Sequence, residues 1–350
     1  MCVVLKEESS VMAIDSDRIR HTISHFSFDH CTHGSQGFTR ILIQFFGFAG
    51  HGKSAFINSC VYVWENEEYK NFAYSMDTDG GHTLERRSYP LTKAITLVDN
   101  RGFGIIGGYE SGEIFAQLGN LLPLDEVVKW TKKYELIDKM HKSKSRVLIS
   151  DFVVPVLVYS VTQSVSPEEQ GELKAVLKIS ETLTGIFPIV VLTHKTSGEL
   201  TKREAMFKNM GVEKIFSIEN YTPEDHYKQR TKHEEVLKFL YEVVKDAQFI
   251  VNEPRNPERE MRRRRRYMIQ YVKEREKINR KEALSKKRFL EQKLAAEATN
   301  DSQMDVDEET QRERELEEDI RRMQEMMERL DPEEEPVYEP VLPATDSDSL

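Results

Sequence analysis

The sequence predicts an α/β fold: a central, mainly parallel sheet with helices on both faces, plus a charged C-terminal helical extension. Three observations carry this. Between residues 38 and 252, apolar β-type runs alternate with amphipathic helical segments. The runs "ILIQFFGF", "FVVPVLVYSV" and "FPIVVLTH" are continuously apolar, as strands covered on both faces are. After "EPRNPERE" the composition turns strongly basic and then acidic.

Bulk properties set the frame. The chain has 350 residues, a formal net charge of −10 and 31% charged residues. That charge density is high for one globular domain and implies a domain with solvated extensions. The three cysteines, Cys2, Cys31 and Cys60, form no paired or metal-spaced framework, which suits a reducing compartment. The first twenty residues lack a basic start followed by an apolar run, so no signal peptide is expected. No apolar run reaches the roughly 18 residues of a membrane span. A cytoplasmic protein is expected, with a nuclear fraction open through the arginine run.

Four regions are predicted. Residues 1–37 form an N-terminal extension whose His21, His25, His30, Cys31 and His33 lack a ligand spacing and read as ordinary loop residues. Residues 38–252 form the folded domain. Its further strands are "AITLVD" and "KIFSIEN", and its helices are "KSAFINSCVYVWE", "SPEEQGELKAVLKISETLTG", "TKREAMFKNMG" and "KHEEVLKFLYEVVKDAQ". Crossovers should be right-handed, with any ligand outside the carboxyl ends of the strands. Residues 253–298 read as a long, exposed basic helix without internal Pro or Gly from 258 on. Residues 299–350 read as an acidic helix and a disordered, proline-containing tail. In that helix Leu316, Ile320, Met323, Met327 and Leu330 make an a/d seam of about two heptads.

The basic run supports several readings: nucleic acid, an anionic membrane surface, nuclear import, or a solvated helix pairing with acidic sequence. A basic block followed by an acidic one favours the last, or a coil with a protein partner.

The most specific signal is "GFAGHGKS". Gly47, Gly52, Lys53 and Ser54 fit G-x-x-x-x-G-K-[ST], with a strand before and a helix after. Such a loop curls so that backbone N–H groups of Gly50, His51, Gly52 and Ala55 can face one anion. The helix N-terminus adds its dipole. Lys53 is placed for the outer phosphates and Ser54 for Mg²⁺. Asp99, closing "ITLVD", is the acid expected to hold the metal, and the N–H of Gly102 is placed for a γ-phosphate.

With these elements in this order, the chain resembles the Ras-like, translation-factor-related class of P-loop GTPases. More narrowly, "GHGKSAFINS", "RRSYPL", "VLTHKTS" and "SIENYTPE" resemble the interferon-induced protein 44 family, near the septins and the immunity-associated GTPases. The resemblance covers about residues 38–250. It implies a guanine-nucleotide-binding switch using GTP/GDP and Mg²⁺, a homodimer across the nucleotide face, and an innate-immune setting. It implies a switch threonine on the metal, Thr83 first and Thr78 second. It places His194 and Lys195, within Thr193–Ser197, and Asn220 at the base.

Two departures matter. The family's base-reading motif ends in an aspartate, and here Thr196 or Ser197 stands in its place, with Glu199 a few residues on. Where a glutamine follows Asp-x-x-Gly in Ras-like enzymes, this chain has Phe103, which cannot orient a water. His51 and Arg101 are the nearest polar help, and both read first as ordinary loop residues. Slow intrinsic hydrolysis is therefore expected. The alternative is a nucleotide-holding scaffold that recruits partners through its charged helices. An adenine-nucleotide enzyme is a third option, disfavoured by the motif order.

Overall fold

The computed structural model of the protein describes residues 15–73, 85–102, 110–127 and 135–297. Thr78, Thr83, Phe103 and everything from 298 on, including the Leu316–Leu330 seam, lie outside the described residues. The chain divides into two compact units, Met1–Ile278 and Asn279–Leu350.

The first unit is built on a seven-stranded sheet in the order β4-β2-β3-β1-β5-β6-β7. The strands are β1 (Arg40–Phe46), β2 (Glu85–Thr92), β3 (Ile95–Asp99), β4 (Glu126–Val127), β5 (Asp151–Ser160), β6 (Ile189–Thr193) and β7 (Ile215–Ser217). β1 lies at the centre, parallel to β3 on one side and β5 on the other. β6 and β7 continue the parallel order, while at the far edge β2 pairs antiparallel with β3 and the two-residue β4 antiparallel with β2. Every residue of β3, β5 and β6 is buried, which explains their unbroken apolar sequences. Five parallel strands thus bring their carboxyl ends to one edge, and the order reverses at β1. That is the expected α/β P-loop architecture, with its crevice at the strand switch.

The segment Glu85–Thr92, which contains "RRSYPL", is absent from the strands that the apolar runs predict. It is a strand because it pairs antiparallel with β3 and buries one side chain, Arg86, completely. An edge strand with exposed polar neighbours carries little apolar signal.

The helices are α1 (Ser16–Ser24), α2 (Lys53–Glu65), α3 (Glu110–Leu118), α4 (Glu135–Lys142), α5 (Pro167–Thr184), α6 (Leu200–Asn209), α7 (Arg230–Val251) and α8 (Pro257–Glu297). α5 has the clearest ends: Ser166 and Glu169 form a capping box, Pro167 opens the first turn, and left-handed Gly185 closes it. α1 packs on α7, and Ile19, Ile23, Phe26 and Phe28 join the same core as the sheet. Phe28 meets Phe38 and Phe152 there. His21 and His25 stack on one another, and no group of His, Cys, Asp or Glu among the described residues is arranged to hold a metal.

The basic helix is not uniformly exposed. Met261, Met268 and Val272 are buried, and Arg264 is buried among them. Its Nε donates to the Leu183 carbonyl at 3.1 Å, and its Nη2 to Glu260 at 3.1 Å. A few inward residues suffice to pack this stretch, and the charge run hides them. In the second unit, residues 279–297 are helical. No described helix is long and apolar enough to cross a membrane.

Candidate functional site

The glycine loop links β1 to α2 at the switch edge of the sheet. Gly47, Gly50 and Gly52 have φ of 144°, 76° and 86°, conformations that side-chain-bearing residues rarely adopt. At Gly47 a Cβ would also lie 2.3 Å from the Val158 carbonyl oxygen. The loop therefore curls against β5 only because glycine stands there. Gly52 caps α2 without any side-chain hydrogen bond, and the first turn of α2 has no acidic residue. The N-terminal turn keeps its positive character for an anion. Ala55 belongs to this turn.

The four other parallel strands each tie a carboxyl end to this loop or to the helix after it. From β3, Asp99 accepts a 2.7 Å hydrogen bond from the Ser54 hydroxyl. From β5, the Ser160 N–H donates to His51 Nδ1 at 3.3 Å. From β6, the Thr193 hydroxyl donates to the His51 carbonyl at 2.9 Å. After β7, the Asn220 amide donates to the Gly52 carbonyl at 3.2 Å.

Lys53 is 5% exposed and donates to the carbonyls of Gly47 at 3.1 Å and Phe48 at 2.8 Å. Burial lowers its pKa to about 8, and the Asp99 charge opposes that shift. Burial raises the Asp99 carboxyl, while Lys53 and Ser54 pull it down. Asp99 Oδ1 is buried without a hydrogen-bond partner. An orphaned carboxylate oxygen beside a serine hydroxyl is a donor set that suits a hard cation such as Mg²⁺. Ser54 and Asp99 are the described residues that would hold it, and the ion would neutralise phosphate charge.

The chain after Asp99 closes over the loop. A Cβ on Gly102 would lie 2.9 Å from Lys53 Nζ and 3.1 Å from the Ala49 nitrogen. Behind it, Asn100 reaches Gln44 and the Phe45 carbonyl, and accepts from Arg86 at 3.0 Å. Arg86 also donates to the Leu122 and Gln117 carbonyls and to Asn120.

His51 is buried against Phe48 and Tyr159. Burial first, then the charges of Lys53 and His194, lowers its pKa to about 4. The neutral ring fits its role as acceptor from Ser160.

The loop after β6 separates the expected base-side residues. Thr193 is anchored on the glycine loop, and His194 comes next in a left-handed conformation with φ of 56°. His194 Nδ1 lies 3.0 Å from the Ser160 hydroxyl. Lys195 points elsewhere: its ammonium pairs with Glu235 of α7 at 2.5 Å. Thr196 donates through its N–H, at 3.2 Å, and its hydroxyl, at 2.8 Å, to Glu219. Glu199, the acid a few residues past the missing aspartate, is 65% exposed in its side chain and sits on Lys202 at 2.9 Å. It is a surface residue at the start of α6.

No family model matches the chain, and no curated protein does. Among solved structures the chain is similar to a probable GTP-binding protein engB, at 15% identity and a TM-score of 0.32, over 59% of this chain and 99% of that one. It is also similar to a mutation variant of SsGBP, at 16% identity and a TM-score of 0.31, over 60% of this chain and 57% of that one. Likenesses this distant do not reach individual residues.

The glycine loop, Lys53, Ser54, Asp99, Gly102, His194 and Asn220 thus come together, whereas Lys195 does not join them. Sequence reasoning missed Arg86, Asn100 and Glu219. For Glu219 the only local signal was its place beside Asn220 at the end of a strand.

Proposed function

We propose that the protein is a guanine-nucleotide-binding switch that holds GTP or GDP with Mg²⁺ and hydrolyses GTP slowly. The supporting observation is the convergence of Lys53, Ser54 and Asp99 on a glycine loop that all the parallel strands brace. In this reading, backbone N–H groups from Gly50 to Ala55 cradle the phosphates. Lys53 gives up its two carbonyl partners for phosphate oxygens. The chain after Asp99 senses the γ-phosphate through Gly102, and loss of that group releases it. Thr83 is the proposed switch threonine.

Guanine preference, a homodimer across the nucleotide face and an innate-immune role are supported by the resemblance to the interferon-induced protein 44 family, and a cytoplasmic location by the unpaired cysteines. Phe103 favours a second reading, the nucleotide-holding scaffold, because it carries no group to orient a water. There the charged C-terminal helices recruit the partner.

The test is a thermal melt of the full chain with Mg²⁺ and a non-hydrolysable GTP analogue, beside phosphate release from GTP. A ligand at 100 times its Kd adds about 2.7 kcal/mol, so the melting temperature of the wild type should rise and that of Lys53→Ala should not. Turnover should stay below about 1 s⁻¹, the slow end of ordinary enzymes. No shift with any nucleotide would overturn the proposal, and no phosphate release would leave the scaffold.

A further inference from the structure

The loop after β6 lacks the carboxylate that a guanine site needs. Guanine offers two adjacent donors, N1–H and the 2-amino group, and an ionised carboxylate accepts both at once. Thr193 is pinned to the His51 carbonyl at 2.9 Å, which sets the register of residues 194–197. Lys195 is taken up by Glu235, and Thr196, three residues past the anchor, is uncharged.

A carboxylate nevertheless reaches this loop from another strand. Glu219 lies just past β7, and its Oε2 accepts from both the N–H and the hydroxyl of Thr196. Its Oε1 has no hydrogen-bond partner among the described residues. The next residue, Asn220, is 8% exposed and fastens the same loop to the Gly52 carbonyl at 3.2 Å. Asn220 Oδ1 is buried with no partner. The Glu219 carboxylate is thus held between two anchors, one on the β6 loop and one on the glycine loop.

Neighbouring acids are otherwise engaged. Glu199 lies on Lys202 at 2.9 Å and Asp225 on Lys232 at 2.6 Å. Glu219 has no cation partner among the described residues, so its charge is free for a ligand's donors.

We propose that Glu219, positioned by Thr196, is the residue that reads the Watson–Crick edge of guanine in this protein. The proposal rests on the nucleotide-binding reading above and names the specificity determinant of that site. Two hydroxyl and amide contacts from Thr196 take the place of covalent attachment to the β6 loop. The acid is supplied from 23 residues away in sequence instead of from within the motif.

The test is calorimetric titration of the full chain with GDP, ADP and xanthosine diphosphate, each with Mg²⁺, for wild type and Glu219→Gln. Glutamine keeps an oxygen for Thr196, so the loop contact survives. Its amide exchanges one acceptor for a donor. Xanthine carries a carbonyl where guanine carries the amine, so the variant suits xanthine. Wild type should prefer GDP over ADP and over xanthosine diphosphate. Glu219→Gln should lose roughly 10- to 100-fold in GDP affinity, the loss of a charged hydrogen-bond pair, and should gain affinity for xanthosine diphosphate. A change of preference of this kind is not expected from a residue that only closes the loop. Thr196→Val, which removes one of the two anchors, should show a smaller loss of GDP.

Wild-type binding of GDP with an unchanged Glu219→Gln would overturn this assignment and leave the nucleotide site standing. So would loss of GDP without any gain for xanthosine diphosphate, or equal wild-type affinity for GDP and ADP. No wild-type binding of any of the three would overturn the nucleotide reading itself, and this inference with it.

Discussion

The Ser54 hydroxyl donates a 2.7 Å hydrogen bond to Oδ2 of Asp99, joining the first turn of α2 to the end of β3. The contact spans 45 residues of sequence and leaves Oδ1 of the same buried carboxylate without a partner. Removing the hydroxyl therefore strips a buried carboxylate of its hydrogen bond. Ser54→Ala should lower the unfolding free energy by about 1.5–3 kcal/mol. It should also abolish any rise in nucleotide affinity on adding Mg²⁺. Urea unfolding checks the first expectation, and titration with and without Mg²⁺ checks the second.

Lys53 should take up a proton when phosphate binds. Its pKa in the free site is about 8, lowered by burial, so at pH 8.5 most chains carry the neutral amine. An anion restores the ammonium. Binding at that pH should therefore absorb protons, and affinity should fall as pH rises through 8. Calorimetry in two buffers of different ionisation enthalpy measures the uptake, which Lys53→Met should remove.

Arg86 holds the base of the Asp99 loop from below. It is fully buried, and burial lowers its pKa to about 9, with Asp151 and Asp125 opposing. Its guanidinium serves Asn100, Asn120 and the carbonyls of Leu122 and Gln117. Arg86→Leu takes this donor from Asn100, Asn120 and the Leu122 carbonyl, while the Gln117 carbonyl keeps the Asn120 N–H. We expect a loss of about 3–5 kcal/mol, the usual cost of breaking a buried charged network, seen as a lower urea midpoint.

His51 makes stability depend on pH. Its folded pKa is about 4 against an ordinary 6.5, so between these values the unfolded chain binds more protons. Its contribution is complete above about 6.5 and is lost as pH falls towards 4. His233 on α7 shifts in the same direction, chiefly through burial. His51→Gln, whose amide oxygen can still accept from Ser160, should flatten the pH profile of the melting temperature in that window. The effect should be about 1–3 kcal/mol.

The legible part of the sequence was the part that local pattern encodes. The unbroken apolar runs marked the parallel strands, and "KSAFINSCVYVWE" marked α2 from Lys53 to Glu65. The features that escaped depend on partners far along the chain. β2 shows no apolar run because its main buried contribution is one cation, Arg86. α1 offers only Ile19 and Ile23 as buried positions, too few to declare a period. The inward Met261, Arg264, Met268 and Val272 of α8 are masked by the arginines around them. At the site, Lys195 was expected near the base because it matches the motif order. Its pairing with Glu235, 40 residues on, could not be read locally. The same holds for Glu219, whose partner Thr196 belongs to a different strand end.

Guanine-nucleotide binding at the glycine loop is tested by titrating the full chain with a non-hydrolysable GTP analogue and its ATP counterpart, both with Mg²⁺. Lys53→Ala is the control. The wild type should bind the GTP analogue and show little or no affinity for the ATP analogue. The variant should lose about 100-fold or more, the worth of two charged phosphate contacts. Wild-type affinity for the GTP analogue that is absent, or that Lys53→Ala leaves unchanged, would refute a guanine-nucleotide switch built on this loop.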